Sequence, residues 1–201
     1  MVEHSRAPRA DAARNRAQLL DAARALFAER GLDVSVGEIA KAAGVGNGTA
    51  FRHFPSKEAL LNAVVEQRMG QMLEQLRASA AIEDPWDAFE DLCVEAVRAY
   101  IEDNGYMEAV KRDCAHSASI AERHGEMAEV VEGVLARAQA AGVIRPDVVI
   151  DDIPGILMAA AHGGAVPEAD GGGPNAWRRI LALLLDGVRI GPRSEALPER
   201  R

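Results

Sequence analysis

The sequence predicts an all-α protein. Three observations carry that expectation. Apolar residues recur at helical spacing along nearly the whole chain, the interruptions are glycines, prolines and capping residues, and the one strand-like run, Val148-Val149-Ile150, is short and unpartnered. About nine helices are expected: an N-terminal three-helix group containing a helix-turn-helix, then a longer helical body.

Taken in order, residues 1–12 carry Pro8, arginines and small polar residues, and read as a flexible arm. From Arg14 to Arg30 the positions Leu19, Ala23, Leu26 and Phe27 share one helical face, and Gly31 stops the helix. Ser35 and Glu38 form a capping box ahead of Val36, Ile39, Ala40 and Ala43. Gly44 ends that short helix, and Val45-Gly46 leads to a second short one, Asn47–Phe54. Pro55 closes it. Ser56 and Lys57-Glu58 open a long helix reaching about Ala80, with Leu60, Leu61, Val64, Val65, Met69, Met72, Leu73 and Leu76 inward. Pro85 suits a first helical position, and a stripe continues to Tyr100 before Asn104-Gly105 breaks it. Tyr106 to about Ser119, Ile120–Ala141, Val148–Ala165 and Asn175 to about Ile190 read as further helices. Gly171-Gly172-Gly173 marks a loop, and residues 191–201 a frayed tail.

Composition narrows the function classes. Of 201 residues, 48% are hydrophobic and 27% charged, which excludes a disordered chain. Aromatics are 4%, so Ala, Leu, Val and Ile must build the core. The longest apolar run, Ile180–Leu185, is far short of the roughly 18 residues of a membrane helix. Met1–Arg16 has no apolar segment of the secretory kind, so no membrane partner and a cytoplasmic location are expected. Cys93 and Cys114 lack metal or redox spacing. The net charge of −8 is uneven: residues through Arg68 sum to +2 and the rest to −10. That balance permits one small basic face and argues against diffuse coating of nucleic acid.

The chemistry concentrates in Ser35–Phe54. Two short helices joined by a glycine turn match a helix-turn-helix. Ala50 and Phe54 can face inward, leaving Asn47, Thr49, Arg52 and His53 outside. Asn and Arg read adenine and guanine edges in the major groove. Thr49 and Lys57 suit phosphate oxygens, and Gly48 lets backbone approach DNA. Phe51 fits either the core or the groove.

The run Gly31–Leu60 resembles the DNA-binding domain of TetR-type one-component regulators. Its Ile39-Ala40, Ala43-Gly44-Val45, Gly48-Thr49, His53-Phe54 and Ser56-Lys57-Glu58 carry the likeness, and the Ala-Ala-x-x-Leu-Phe-Ala ending of the first helix extends it. The resemblance implies a homodimeric all-α repressor on double-stranded DNA, released from an inverted-repeat operator by an unknown small-molecule effector. It assigns DNA contact to Ser35, Asn47, Gly48, Thr49, Phe51, Arg52, His53 and Lys57. Here the chain departs from the family: Phe51 stands where Tyr is usual, Ala50 where Leu is common, and Gly46 where Ser often caps, leaving the recognition helix less firmly started.

The implied domains are 13–56 for DNA binding, 57–80 as a connecting helix and lever, and 81–190 for ligand binding and dimerisation. Pocket candidates are Trp86, Phe89, Cys93, Tyr100, Tyr106, Met107, Cys114, His116 and Met158, which join apolar surface to polar handles. Most of them suit plain core equally well. Ile153, Leu157, Ala161, Trp177, Ile180, Leu181, Leu184 and Val188 suit a two-fold seam or an intrachain core. No metal-ligand set is completed around Cys114, His116, His124 and His162, and no cofactor motif occurs. A non-enzyme is expected. The alternatives are a small helical enzyme using a Cys/His pair and a helical interaction protein, and neither accounts for the helix-turn-helix.

Overall fold

The computed structural model describes residues 7–102, 118–163, 173, 175–191 and 197–198. Among them are eight α-helices: α1 (Ala7–Arg30), α2 (Val36–Ala42), α3 (Asn47–His53), α4 (Lys57–Ala80), α5 (Pro85–Glu102), α6 (Ala118–Ala140), α7 (Ile153–Gly163) and α8 (Ala176–Val188). The protein is all-α, as expected. Sheet structure among the described residues is a single isolated bridge, Ile144 to Arg189. The ninth helix expected from Tyr106 to about Ser119 lies largely outside the described residues.

Two compact units form, 1–69 with 103–122, and 70–102 with 123–201. In the first, α1 begins at Ala7, earlier than the arm reading of residues 1–12 placed it. Ala10, Ala12 and Ala13 are strong helix formers, and Pro8 falls in the first turn, where its missing N–H is not needed. Leu19, Leu20, Ala23, Phe27, Ile39, Ala40, Ala50, Leu60 and Val65 are buried, and they build the core of this unit. The glycine stops behave as their positions dictate. Gly31 and Gly44 hold φ of +68° and +67°, a region that costs any side chain with a Cβ. At the end of α2, Val45 N–H donates to the Ala40 carbonyl and Gly44 N–H to the Lys41 carbonyl. This is a Schellman closure, and it turns the buried Val45 inward between the helices.

The second unit packs α5, α6, α7 and α8 around Phe89, Leu92, Cys93, Val97, Leu135, Ala138, Ile144, Trp177, Leu181 and Leu185. The Asp84 carboxylate accepts from the N–H groups of Trp86 and Asp87, both at 2.9 Å, so α5 is capped just ahead of Pro85. Arg137 donates to the Ala80 and Ile82 carbonyls at 3.0 and 2.9 Å, satisfying the open end of α4. Gly142 (φ +70°) ends α6 with the same closure as Gly44.

The expected helix Val148–Ala165 starts later. Val149 is extended, a 3₁₀ turn occupies Ile150–Asp152, and α7 begins at Ile153. The β-branched run resists helix, and the Asp152 carboxylate takes the Val149 N–H at 3.0 Å. A clasp closes the unit: Arg145 N–H donates to Val188 O at 3.0 Å and Ile190 N–H to Val143 O at 3.3 Å. The half-open Arg145–Asp147 pair braces it with bonds of 2.7 and 2.8 Å.

The space around a Cβ at Gly44 is open, so Gly44→Ala incurs a backbone cost alone. It should lower stability by about 1 kcal/mol, read as a lower urea midpoint with an unchanged slope.

Candidate nucleic-acid interface

The site is assembled around a helix of seven residues, α3. A helix this short is not stable alone, so packing must hold it. Ala50 is fully buried beneath it, and Phe54 follows as its buried C-cap, donating its N–H to the Ala50 carbonyl at 2.8 Å. The Arg16 guanidinium lies 5.3 Å from the Phe54 ring centroid, bracing that end from α1. Gly46 is the N-cap and makes no side-chain bond, as its lack of a side chain requires.

Held this way, α3 turns Asn47, Gly48, Phe51 and Arg52 outward, all exposed. Phe51 is 50% exposed, which removes it from the core and leaves the groove-facing alternative. Thr49 is partly buried, and its Oγ1 accepts from Arg52 Nη2 at 3.1 Å. His53 is partly buried with its ring 6.3 Å from that of Phe54. No carboxylate among the described residues pairs with Arg52.

Two expected phosphate contacts have structural work as well. Ser35 caps α2: its Oγ accepts from Glu38 N–H at 3.2 Å and donates to the Glu38 carboxylate at 2.8 Å. Glu38 takes the Ser35 N–H at 2.9 Å and the Arg30 guanidinium at 2.9 Å. The capping box read from the sequence is therefore complete, and Ser35 has no hydroxyl proton to spare for DNA while it stands. Lys57 Nζ donates to the Leu32 carbonyl, tying the start of α4 to the turn between α1 and α2. The Arg30 and Leu32 partners are not legible in the residue pattern, because Arg30 meets Glu38 from eight residues away and Leu32 meets Lys57 from twenty-five.

Elsewhere the expectations divide. Among the pocket candidates, Phe89 and Cys93 are fully buried core. Burial, with Glu90 adding to it, pushes the Cys93 thiol up to about 12, the opposite of nucleophile activation. Trp86 is already engaged: its Nε1–H donates to Glu90 at 2.9 Å, and the Arg189 guanidinium lies 3.7 Å from its ring centroid. Tyr100 is partly buried with the His162 ring 5.9 Å away, and His162 Nδ1 donates to the Met158 carbonyl. Tyr106, Met107, Cys114 and His116 lie outside the described residues.

Of the expected seam, Ile153, Ala161, Trp177, Leu181 and Val188 are buried in the chain's own core. They leave little surface exposed in the single chain. Leu157, Ile180 and Leu184 are partly buried. The large apolar residue that α8 does expose is Leu183, at 64%, which lies off the inward apolar stripe.

The chain matches known proteins over nearly its whole length. Residues 19–64 match the family described as bacterial regulatory proteins, tetR family, and residues 84–190 match the SbtR-like transcriptional regulator C-terminal domain. It is 29% identical over 181 residues to the HTH-type transcriptional repressor Rv1474c of Mycobacterium tuberculosis, covering 88% of this chain and 94% of that protein. It is 30% identical to the HTH-type transcriptional repressor KstR2 of Rhodococcus jostii, covering 86% and 90%. The crystal structure of a TetR transcription regulatory protein from Mycobacterium vanbaalenii superposes with a TM-score of 0.67 at 33% identity, covering 90% of this chain and 99% of that one.

Bonds from the Ser35 N–H first, then from its hydroxyl and from Arg30, hold the Glu38 carboxyl down at about 2, from an ordinary 4.5. A carboxyl depressed on folding adds stability that is complete above pH 4.5 and is lost as pH falls toward 2. Glu38→Gln should therefore flatten the fall in unfolding free energy across that interval, measured by urea titrations at stepped pH.

Proposed function

The chain belongs to the TetR family of bacterial regulatory proteins and is a DNA-binding transcriptional regulator; from that premise we propose how it binds and how it is released. Two copies seat α3 in successive major grooves of an inverted-repeat operator, with half-sites about 34–36 Å apart or a multiple of that spacing. The observation that carries this reading is the exposed Asn47, Gly48, Phe51 and Arg52 on a helix whose other face is plugged by Ala50. Arg52 and Asn47 face base edges, and Phe51 makes apolar contact. Thr49, His53 and Lys57 lie toward the phosphates. Ser35 acts chiefly through the α2 cap.

The pairing surface proposed is the outer face of α8. Arg179, Ala182, Leu183 and Asp186 are exposed there at helical spacing. Arg179 and Asp186 lie almost evenly on either side of Leu183. An antiparallel crossing at Leu183 sets each Arg179 against the other copy's Asp186, the reciprocal pairing that two-fold symmetry requires. Leu157, Ile180 and Leu184 border this face with their remaining surface.

Release follows from a small molecule held among α5–α8 that binds better to a state with its two α3 helices wrongly spaced. Tight binding without such a preference shifts nothing. Tyr100 and Met158, partly buried, are the described candidates for its lining. α4 is the lever, since one continuous helix contributes residues to both units.

Duplex binding titrated against salt tests the reading, since a regulator gives a steep negative log–log slope. Arg52→Ala should relax preference at one base position by about 1–3 kcal/mol. Lys57→Ala should weaken all duplexes alike. An unchanged preference in Arg52→Ala removes that residue from base readout. Leu183→Glu should give folded monomers in sedimentation, with a melting temperature that no longer depends on protein concentration, and lower operator affinity at least tenfold.

A further inference from the structure

Resting on the reading of α3 as the major-groove helix, we infer that Thr49 is a positioning residue for base recognition, its hydroxyl holding the Arg52 guanidinium in a fixed pose before DNA arrives. The bond from Arg52 Nη2 to Thr49 Oγ1, at 3.1 Å, spans i to i+3 on the outer side of α3. That spacing places the two side chains one turn apart on a shared face. Thr49 is partly buried and Arg52 exposed, so the bond ties a solvent-facing guanidinium to a hydroxyl nearer the helix. A flexible arginine pinned to it loses less freedom on meeting a base.

Arg137 is likewise held by neutral groups, the Ala80 and Ile82 carbonyls, but the chain's carboxylate-bound arginines give the contact a contrast. Arg30 is bound by Glu38, Arg77 by Glu74 and Glu126, Arg98 by Glu95, and Arg145 by Asp147. In each, a carboxylate of opposite charge lies against the guanidinium. Arg52 is oriented by a neutral hydroxyl, so its charge stays whole for a polyanion. One N–H of its fork goes to Thr49, and four remain, enough for the paired acceptors of guanine, O6 and N7.

The hydroxyl has a second use. It accepts from Arg52 and keeps its own proton, since a hydroxyl has one donor and two acceptor sites. That proton can go to a phosphate oxygen, so one atom ties the base-reading arginine to the backbone register. Thr49 then contributes to sequence preference, beyond the uniform affinity of a phosphate contact.

A pool of duplexes randomised over two successive turns tests this. The full-length protein and its Arg52→Ala, Thr49→Val, Thr49→Ser and doubly substituted Thr49→Val/Arg52→Ala forms each select from the pool, and affinities are then measured for the selected duplex and its single-base variants. The wild type should select a guanine whose preference vanishes in Arg52→Ala. Thr49→Val should cut discrimination at that same position by about threefold or more, and Thr49→Ser should keep it. In the Arg52→Ala background, Thr49→Val should change nothing there. The inference is overturned if Thr49→Val weakens every duplex equally with its guanine preference intact, if it changes nothing, if Thr49→Ser fails to rescue, or if Arg52→Ala leaves every preference in place. A wild-type protein that selects no motif instead overturns the groove reading on which this rests, and the two failures are told apart by that first selection.

Discussion

A helix of seven residues has too few internal hydrogen bonds to offset the entropy of ordering it, so α3 exists because the rest of its unit fixes it. Everything proposed for DNA recognition depends on that constraint. Ala50 contributes the buried contact beneath the helix, and Phe54, packed under the Arg16 guanidinium, secures its far end. The left-handed turn at Gly44 sets the angle at which the helix departs from α2, and Val45 fills the space that the angle opens. A helix pinned by one small plug and one aromatic cap leaves four of its side positions to solvent. The small plug is consistent with the chain's choice of Ala where its family commonly has Leu: Ala loses no side-chain entropy on burial and is the best helix former.

Electrostatics divides the labour between the chain's two ends. The segment through Arg68 is slightly positive and the remainder strongly negative. A uniformly acidic protein would be repelled by DNA, whereas here the segment that carries α3 is not itself acidic. The same economy appears within the head. Arg30 serves the cap of α2 through Glu38, and Lys57 fastens the start of α4 to the Leu32 carbonyl. These cations stabilise the frame, while Arg52 is left without an acidic partner among the described residues. The exposed ion pairs contribute little each to stability. Their value lies in fixing where unpaired charge remains.

Much of this architecture was legible in the residues alone, because its signals are local. Ser35-x-x-Glu38 specifies a helix start through bonds within one turn, and the structure contains both of them. Gly31, Gly44 and Gly142 specify stops, since each adopts a φ that other residues resist. The pattern from Gly31 to Leu60 picks out the helix proposed to bind DNA, and its solvent face follows from helical periodicity. The start of α7 falls a few residues later than the hydrophobic pattern predicts, because Asp152 takes a backbone N–H that such a pattern does not reveal. The reach of α1 back to Ala7 was also missed, since polar arginines and a proline hid an alanine-rich helix.

The sequence by itself determined the fold class, the order of helices and the element proposed to meet DNA, all properties set by residues within a turn or two of one another. Tertiary structure alone decided which apolar stripe is core and which is surface. Trp177, Leu181 and Val188 share one face of α8 and are consumed by the chain's own interior, while Leu183 is left outside. Periodicity shows that a helix has an apolar face but not what covers it, because that depends on partners far away in the chain. For the same reason the bond between Thr49 and Arg52 could be found only from the structure: spacing allows the two side chains to meet, and their rotamers, set by the packing beneath α3, determine that they do.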